Sequence, residues 1–215
     1  MSNSELRQKI KEIIAEMDLG ENKAEKIIPI EASGRHVHLS RKDVDRLFGE
    51  DYELSPCREL SQPGQYLAEE KVRLIGPKGI IERAAILGPP RSDTQVELSK
   101  TDAVKLGIDP PLRFSGNVEG SASIFIGSAK DIVKLEEGVI IAKNHIHMQP
   151  QDAQRLGVED GEKVNVEAMT ERSIIFKKVL IRVNEAYRLS MHIDYDEANA
   201  CMHRPGDKGK IIKLD

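Results

Sequence analysis

His36-Val37-His38-Leu39-Ser40-Arg41-Lys42-Asp43 sets a pattern that this chain uses again. Polar residues alternate with Val and Leu, the signature of a strand with one buried face. Ser40 followed by Asp43 then reads as a helix N-cap with an acid in the first turn. The pattern recurs as Gln95-Val96-Glu97-Leu98-Ser99-Lys100-Thr101-Asp102 and as His145-Ile146-His147-Met148-Gln149-Pro150-Gln151-Asp152, and the copies run on to Leu47, Leu106 and Leu156. Pro150 suits the first turn of the third helix, where its missing N–H is no loss. Three strand-to-helix corners are therefore expected.

Side chains two apart on a strand share a face. His36/His38, Gln95/Glu97 and His145/His147 should then project from one side of three similar corners. Neutral imidazoles and a carboxylate are the donors of zinc and mixed divalent sites. One such pair alone is more often an ordinary couple of satisfied histidines. Two pairs at equivalent positions, with a glutamate in the remaining copy, favour a divalent metal site. His192 lies in another alternating segment, Leu189-Ser190-Met191-His192-Ile193-Asp194, and is a further candidate ligand. Asp194 shares its face and could orient a ligating imidazole from behind. His203, in a turn-like segment, reads as an ordinary exposed histidine, and Cys201 as core.

Arg91 sits in Leu87-Gly88-Pro89-Pro90-Arg91-Ser92-Asp93-Thr94, a stiff loop leading into the strand of Glu97. A guanidinium there suits a phosphate or carboxylate held by a two-pronged hydrogen bond, against the plainer reading of a surface salt bridge. Ser115-Gly116 forms a turn that could lend a hydroxyl and backbone N–H groups to an anion.

Further strands are expected at Ile27–Glu31, Lys71–Ile75, Ile80–Leu87, Ser123–Ile126, Gly138–Ala142, Lys163–Ala168, Ser173–Ile181 and Leu189–Ile193, divided by Gly/Pro/Asp turns. Many short strands with few helices point to a mainly β fold of barrels or sandwiches. Neither a Walker A sequence nor a GxGxxG fingerprint is present, which disfavours those nucleotide chemistries. Ser4 to Met17 places Leu6, Ile10, Ile13, Ile14 and Met17 on one helical stripe, with Ser2 and Glu5 as a capping box and a polar linker after it. Such a helix either packs on its own body or docks in a partner's groove.

Charged residues make up 32% of the 215 residues and the net charge is −4, so no basic stripe invites nucleic acid. Four Phe, four Tyr and no Trp leave little for base stacking. Two distant cysteines, Cys57 and Cys201, fit a reducing compartment better than a disulfide framework. No apolar run reaches membrane-spanning length. A soluble, cytoplasmic protein with no membrane and no nucleic-acid partner is expected.

The Ser33–Ser40 stretch resembles the opening motif of the PduL-type phosphate acyltransferases (phosphotransacylases, phosphate propanoyltransferases). So do Leu87–Ser99, Asn144–Met148, and Met191–Asp194 running on through Ala198–Cys201. The resemblance extends in order from about Ile28 onward. Gly34 departs from it, since the family more often has Asn before the arginine. The resemblance implies two β-barrel domains capped by short helices, residues 24–34 plus 143–215 and residues 35–142, behind an N-terminal helix and linker at 1–23. It implies two divalent ions, zinc foremost, between the barrels. His36, His38 and Glu97 would hold one, and His145, His147 and His192 the other. Arg91 would bind phosphate and act in catalysis, with Ser115 beside the substrate.

The implied reaction is reversible transfer of a short acyl group between CoA and inorganic phosphate, by direct attack of phosphate. The implied partners are acyl-CoA, phosphate, a second copy of the chain and, through the N-terminal helix, bacterial microcompartment shell or core proteins, with the microcompartment lumen as the place of work. The rival reading is a binuclear metal-dependent hydrolase, although amidohydrolase barrels need eight βα units in about 250 residues. A metal-binding protein without turnover is the non-enzymatic rival.

Overall fold

The computed structural model describes residue 9 and residues 26–212. The helix expected over Ser4–Met17 lies outside these residues, apart from Lys9, which is helical. β1 (Ile27–Ser33) leads into β2 (His36–His38) and helix α1 (Arg41–Phe48). β3 (Pro56–Glu59), β4 (Tyr66–Ile75) and β5 (Ile80–Gly88) follow, then β6 (Gln95–Glu97) with α2 (Lys100–Leu106). β7 (Leu112–Arg113), β8 (Ala122–Gly127) and β9 (Ile132–Ala142) come next, then β10 (His145–Met148) with α3 (Pro150–Leu156). β11 (Lys163–Met169), β12 (Ile175–Val183), β13 (Ser190–Asp194) with α4 (Tyr195–Ala200), and β14 (Lys208–Ile212) complete the order.

The strands close into two six-stranded barrels. One runs β1-β13-β10-β12-β11-β14 and back to β1. The other runs β4-β5-β2-β6-β9, and β8 closes it by pairing with both β9 and β4. β3 extends it beyond β4, and β7 beyond β9. The fold is mainly β, with four short helices among the described residues.

Matched pairing relates the barrels to each other. β2 is parallel to β5 and antiparallel to β6, as β10 is parallel to β12 and antiparallel to β13. β6 is parallel to β9, as β13 is parallel to β1. Even the irregularities agree. The β4–β5 and β11–β12 hairpins each slip register beside a residue of positive φ, Arg83 at 58° and Lys178 at 59°. This is internal duplication, and it reveals a fourth copy of the opening pattern at Ser190-Met191-His192-Ile193-Asp194-Tyr195-Asp196-Glu197.

Caps explain why three of the four copies turn from strand to helix, while Gln149 makes no side-chain cap and Pro150 opens the remaining helix. Ser40 and Ser99 accept from the backbone N–H of Asp43 and Asp102, and Asp194 accepts from that of Glu197 in a full capping box. Such caps are worth about 1 kcal/mol each. Asp194 caps α4 through Oδ1, and among the described residues no hydrogen bond joins its side chain to an imidazole. His203 also differs from expectation. Its side chain is 6% exposed, with Nδ1 3.7 Å from Asp207 Oδ2, because the segment after α4 folds back.

Each barrel has its own core. Leu39, Leu47, Leu74, Ile86 and Ile126 fill one, and Ile28, Ile146, Met148, Leu156 and Ile181 the other. Each fully buried aliphatic side chain contributes roughly 1.5–3 kcal/mol. Both cysteines are free thiols, Cys57 exposed and Cys201 buried. β3, β7 and β14 were not expected from the sequence. β3 is exposed throughout, β7 has two residues, and β14 alternates in burial with Gly209 in an inward slot between two lysines, so no run of apolar side chains marks any of them.

Polar contacts join the barrels. Asp196 accepts from the Thr101 N–H at 2.8 Å. The Gln62 amide donates to Arg188 O at 3.0 Å and accepts from Arg188 N at 3.2 Å.

Candidate functional site

A cavity of about 520 Å³ opens between the two barrels, and His36, His38, Glu97, His145, His147 and His192 all line it. The duplicated register gathers them. His36 stands opposite Glu97 across β2–β6, and His145 opposite His192 across β10–β13. The ligand atoms of His36, His38 and Glu97 lie within 4.8 Å of one another. The other three rings have centroids 4.6 Å (His145–His147), 5.3 Å (His145–His192) and 5.1 Å (His147–His192) apart.

Hydrogen bonding fixes the tautomer of the first histidine in each pair. His36 Nδ1 donates to Gly34 O and His145 Nδ1 to Lys143 O, both at 2.8 Å. A neutral ring so held carries its lone pair on Nε2, and His36 Nε2 lies 3.5 Å from Glu97 Oε2. His147 Nδ1 is buried without a hydrogen-bond partner. A bare acceptor pair and an orphaned ring nitrogen fit a cation, as does the donor set of imidazoles and one carboxylate.

Burial favours the neutral ring in His38, His145, His147 and His192. It lowers His38 to about 2, helped by His36 and Arg91 and opposed by a hydrogen bond to the Leu87 carbonyl. Burial likewise lowers His147 to about 2, reinforced by His145, His192 and Arg182, and lowers His192 to about 3. His145 is lowered too, by burial foremost. Desolvation penalises the charged ring, and the neutral ring is the ligating form.

Arg91 enters the cavity wall next to this group. Its backbone N–H donates to Leu39 O at 2.9 Å, which ties the loop to the first corner, and its Nη1 lies 3.5 Å from Ser115 Oγ. The same serine accepts from Gln95 Nε2 at 2.9 Å, and Gln95 Nε2 donates to Glu97 Oε1 at 2.6 Å. Gln95 Oε1 accepts from the Gly116 N–H at 2.7 Å. Arg91, Ser115, Gln95 and Glu97 thus form one chain of contacts. Burial lowers the Arg91 guanidinium, Glu97 opposes this, and Arg182 adds to it.

Gly34 has a structural counterpart in Tyr195. A Cβ at position 34 would lie 2.7 Å from Tyr195 Cζ, so the ring occupies the space a larger residue would fill. Sequence reading missed Gln62, Gln95 as a bridge, Arg182 and Tyr187. Arg182 pairs in register with His147, and the Tyr187 ring lies 4.1 Å from the His147 ring, centroid to centroid. A lone arginine at a strand end carries no signal until its neighbour in the sheet is known.

Comparison with known proteins gives the family. The family described as phosphate propanoyltransferase matches residues 29–204. The phosphate propanoyltransferase of Sebaldella termitidis is 51% identical over 213 residues, covering 99% of this chain and 100% of that relative. Those of Clostridioides difficile (51% over 191 residues, 89% and 91% covered) and Thermotoga maritima (52% over 188 residues, 87% and 90% covered) are similar. The chain is an acyltransferase enzyme, built as two barrels around a shared polar cavity. It belongs to the phosphate propanoyltransferase family, whose chemistry is acyl transfer between CoA and phosphate.

Proposed function

We propose that this chain moves a short acyl group reversibly between CoA and inorganic phosphate by direct transfer at a two-metal site. His36, His38 and Glu97 would hold one divalent ion and His145, His147 and His192 the other, with zinc the best match to these donors. When bound, such ions supply positive charge that stabilises a thiolate leaving group and phosphate oxygens.

The chain's own residues do the rest. Arg91 offers a planar fork of N–H donors to phosphate, and the Ser115 hydroxyl beside it limits how the anion can turn. Phosphate held there attacks the thioester carbonyl carbon. The C–O bond forms, the C–S bond breaks, and acyl phosphate and CoA thiolate leave. Holding the reactants at contact distance can supply several kcal/mol of the barrier. An acyl-enzyme is unnecessary, and neither cysteine lines the cavity.

The observation that carries this reading is the meeting of both ligand groups with Arg91 and Ser115 around one cavity. It is tested by thiol release from propanoyl-CoA, with and without phosphate, by wild type and Arg91→Ala. Release that needs phosphate and collapses in the variant supports it. Release indifferent to phosphate would instead make the protein a metal-dependent hydrolase.

The two barrels further support residues 24–34 plus 143–215 and residues 35–142 as the two domains. The apolar stripe at Leu6, Ile10, Ile13, Ile14 and Met17 supports a docking peptide for a microcompartment shell or core protein, and a homo-oligomeric enzyme there. Deleting residues 1–20 should abolish co-purification with shell proteins while leaving turnover intact. No helix among the described residues is long and apolar enough to cross a membrane.

A further inference from the structure

We propose that Arg182 is a second arm of the phosphate clamp, holding the attacking phosphate from the barrel opposite Arg91. The inference rests on the acyl-transfer reading above and assigns a residue to the phosphate side of that site.

Arg182 and Arg91 line the same cavity from different barrels. Among the described residues, no carboxylate forms an ion pair with either guanidinium. Arg91 has a single side-chain contact, the long one to Ser115, and Arg182 has no side-chain hydrogen bond. Each guanidinium carries five N–H donors and cannot shed its charge. The two nonetheless feel each other, since Arg182 helps to depress Arg91. Two like charges share a partly dry cavity with most donors unused. Such an arrangement is costly without an anion and favourable with one.

The surroundings hold Arg182 in place. Its backbone lies beside His147 in the β10–β12 pairing. Its guanidinium carbon lies 6.0 Å from the centroid of the Tyr187 ring, and that ring packs on His147. A stacked guanidinium loses little freedom when it binds. The matching slot in the other barrel, next to His38, is Leu87, which also lines the cavity. The duplication has thus diverged here, and only one copy presents a charge. A tetrahedral phosphate has enough oxygens to accept from both forks at once, and acyl phosphate presents the same phosphoryl oxygens in reverse.

The test compares wild type, Arg182→Gln and Arg182→Lys as metal-loaded full-length proteins. KM for phosphate, and for acyl phosphate in reverse, should rise roughly ten- to hundred-fold in Arg182→Gln, the range for losing hydrogen bonds to a charged group. KM for propanoyl-CoA should stay within about twofold, and Arg182→Lys should recover only part of the loss because it lacks the fork. A thermal-shift titration with inorganic phosphate gives a readout independent of turnover. Phosphate should stabilise the wild type and lose most of that effect in Arg182→Gln. Without phosphate, Arg182→Gln should melt no lower than wild type, since a repulsion has been relieved. Unchanged KM and unchanged phosphate stabilisation in both variants would overturn the proposal, as would a rise confined to KM for propanoyl-CoA. Thiol release by wild type that ignores phosphate would instead sink the parent reading.

Discussion

Glu97 and His192 occupy one position in two copies of the same fold. Each is the cross-strand partner of the first histidine of an HxH pair, Glu97 facing His36 and His192 facing His145. One group of three therefore carries a carboxylate where the other has an imidazole. With a divalent ion in each, the two centres differ by one unit of charge. Glu97→Gln and His192→Ala should each lower bound zinc by about one ion per chain, read by elemental analysis. Phosphate-dependent thiol release should fall by more than the roughly 10–100-fold typical of losing an outer hydrogen-bond partner. Full zinc content in either variant would remove that residue from the ligand set.

Gln95 holds Glu97 and Ser115 through one amide, at 2.6 and 2.9 Å. Gln95→Leu keeps the volume and removes both bonds, together with the one Gln95 Oε1 accepts from the Gly116 N–H. Zinc affinity measured by chelator competition should weaken roughly 10–100-fold, and KM for phosphate should rise with it. An affinity within about twofold of wild type would show that Glu97 needs no such support.

Gln62 grips both backbone groups of Arg188 from the other barrel and is 6% exposed. Gln62→Ala leaves that N–H and carbonyl without their partner. Stability should drop by about 1–3 kcal/mol in urea unfolding. A change below about 0.5 kcal/mol, the range of ordinary surface substitutions, would mean that water replaces the amide without loss.

Gly34 and Gly76 should respond differently to alanine. At Gly34 the new Cβ meets the outer end of the Tyr195 ring, which is 48% exposed and can swing aside. At Gly76 it would lie 2.3 Å from the backbone oxygen of Leu106, which also accepts from Lys78 N at 3.0 Å. Gly76→Ala should cost about 1–3 kcal/mol through forced backbone movement. Gly34→Ala should stay within about 0.5 kcal/mol. Equal melting temperatures for the two variants would contradict this contrast.

The corners of the fold were legible because alternation, an N-cap or a first-turn proline, and an acid fall within eight residues. Three copies were read that way, from His36, Gln95 and His145. The fourth was read only as an alternating segment. It opens on Ser190 and caps with Asp194 in place of Ser, so neither its first residue nor its cap matches the others. The candidate ligands were legible because histidine pairs are rare and the register puts them on one face. Arg182, Tyr187 and Gln62 were not. Each reaches the cavity through sheet pairing or a loop between barrels, and local sequence carries no trace of those contacts. His203 misled because a Pro-Gly turn follows it, and turn composition says nothing about what the backbone covers.

β1 is seated between β13 and β14, parallel to one and antiparallel to the other. These are the last two strands of the described chain to leave the ribosome. All the strands of the other barrel, β2 to β9, emerge before either of them. Among the described strands, the first made is thus the one whose neighbours come last. The cavity, with walls from both barrels, can form only once β13 has emerged.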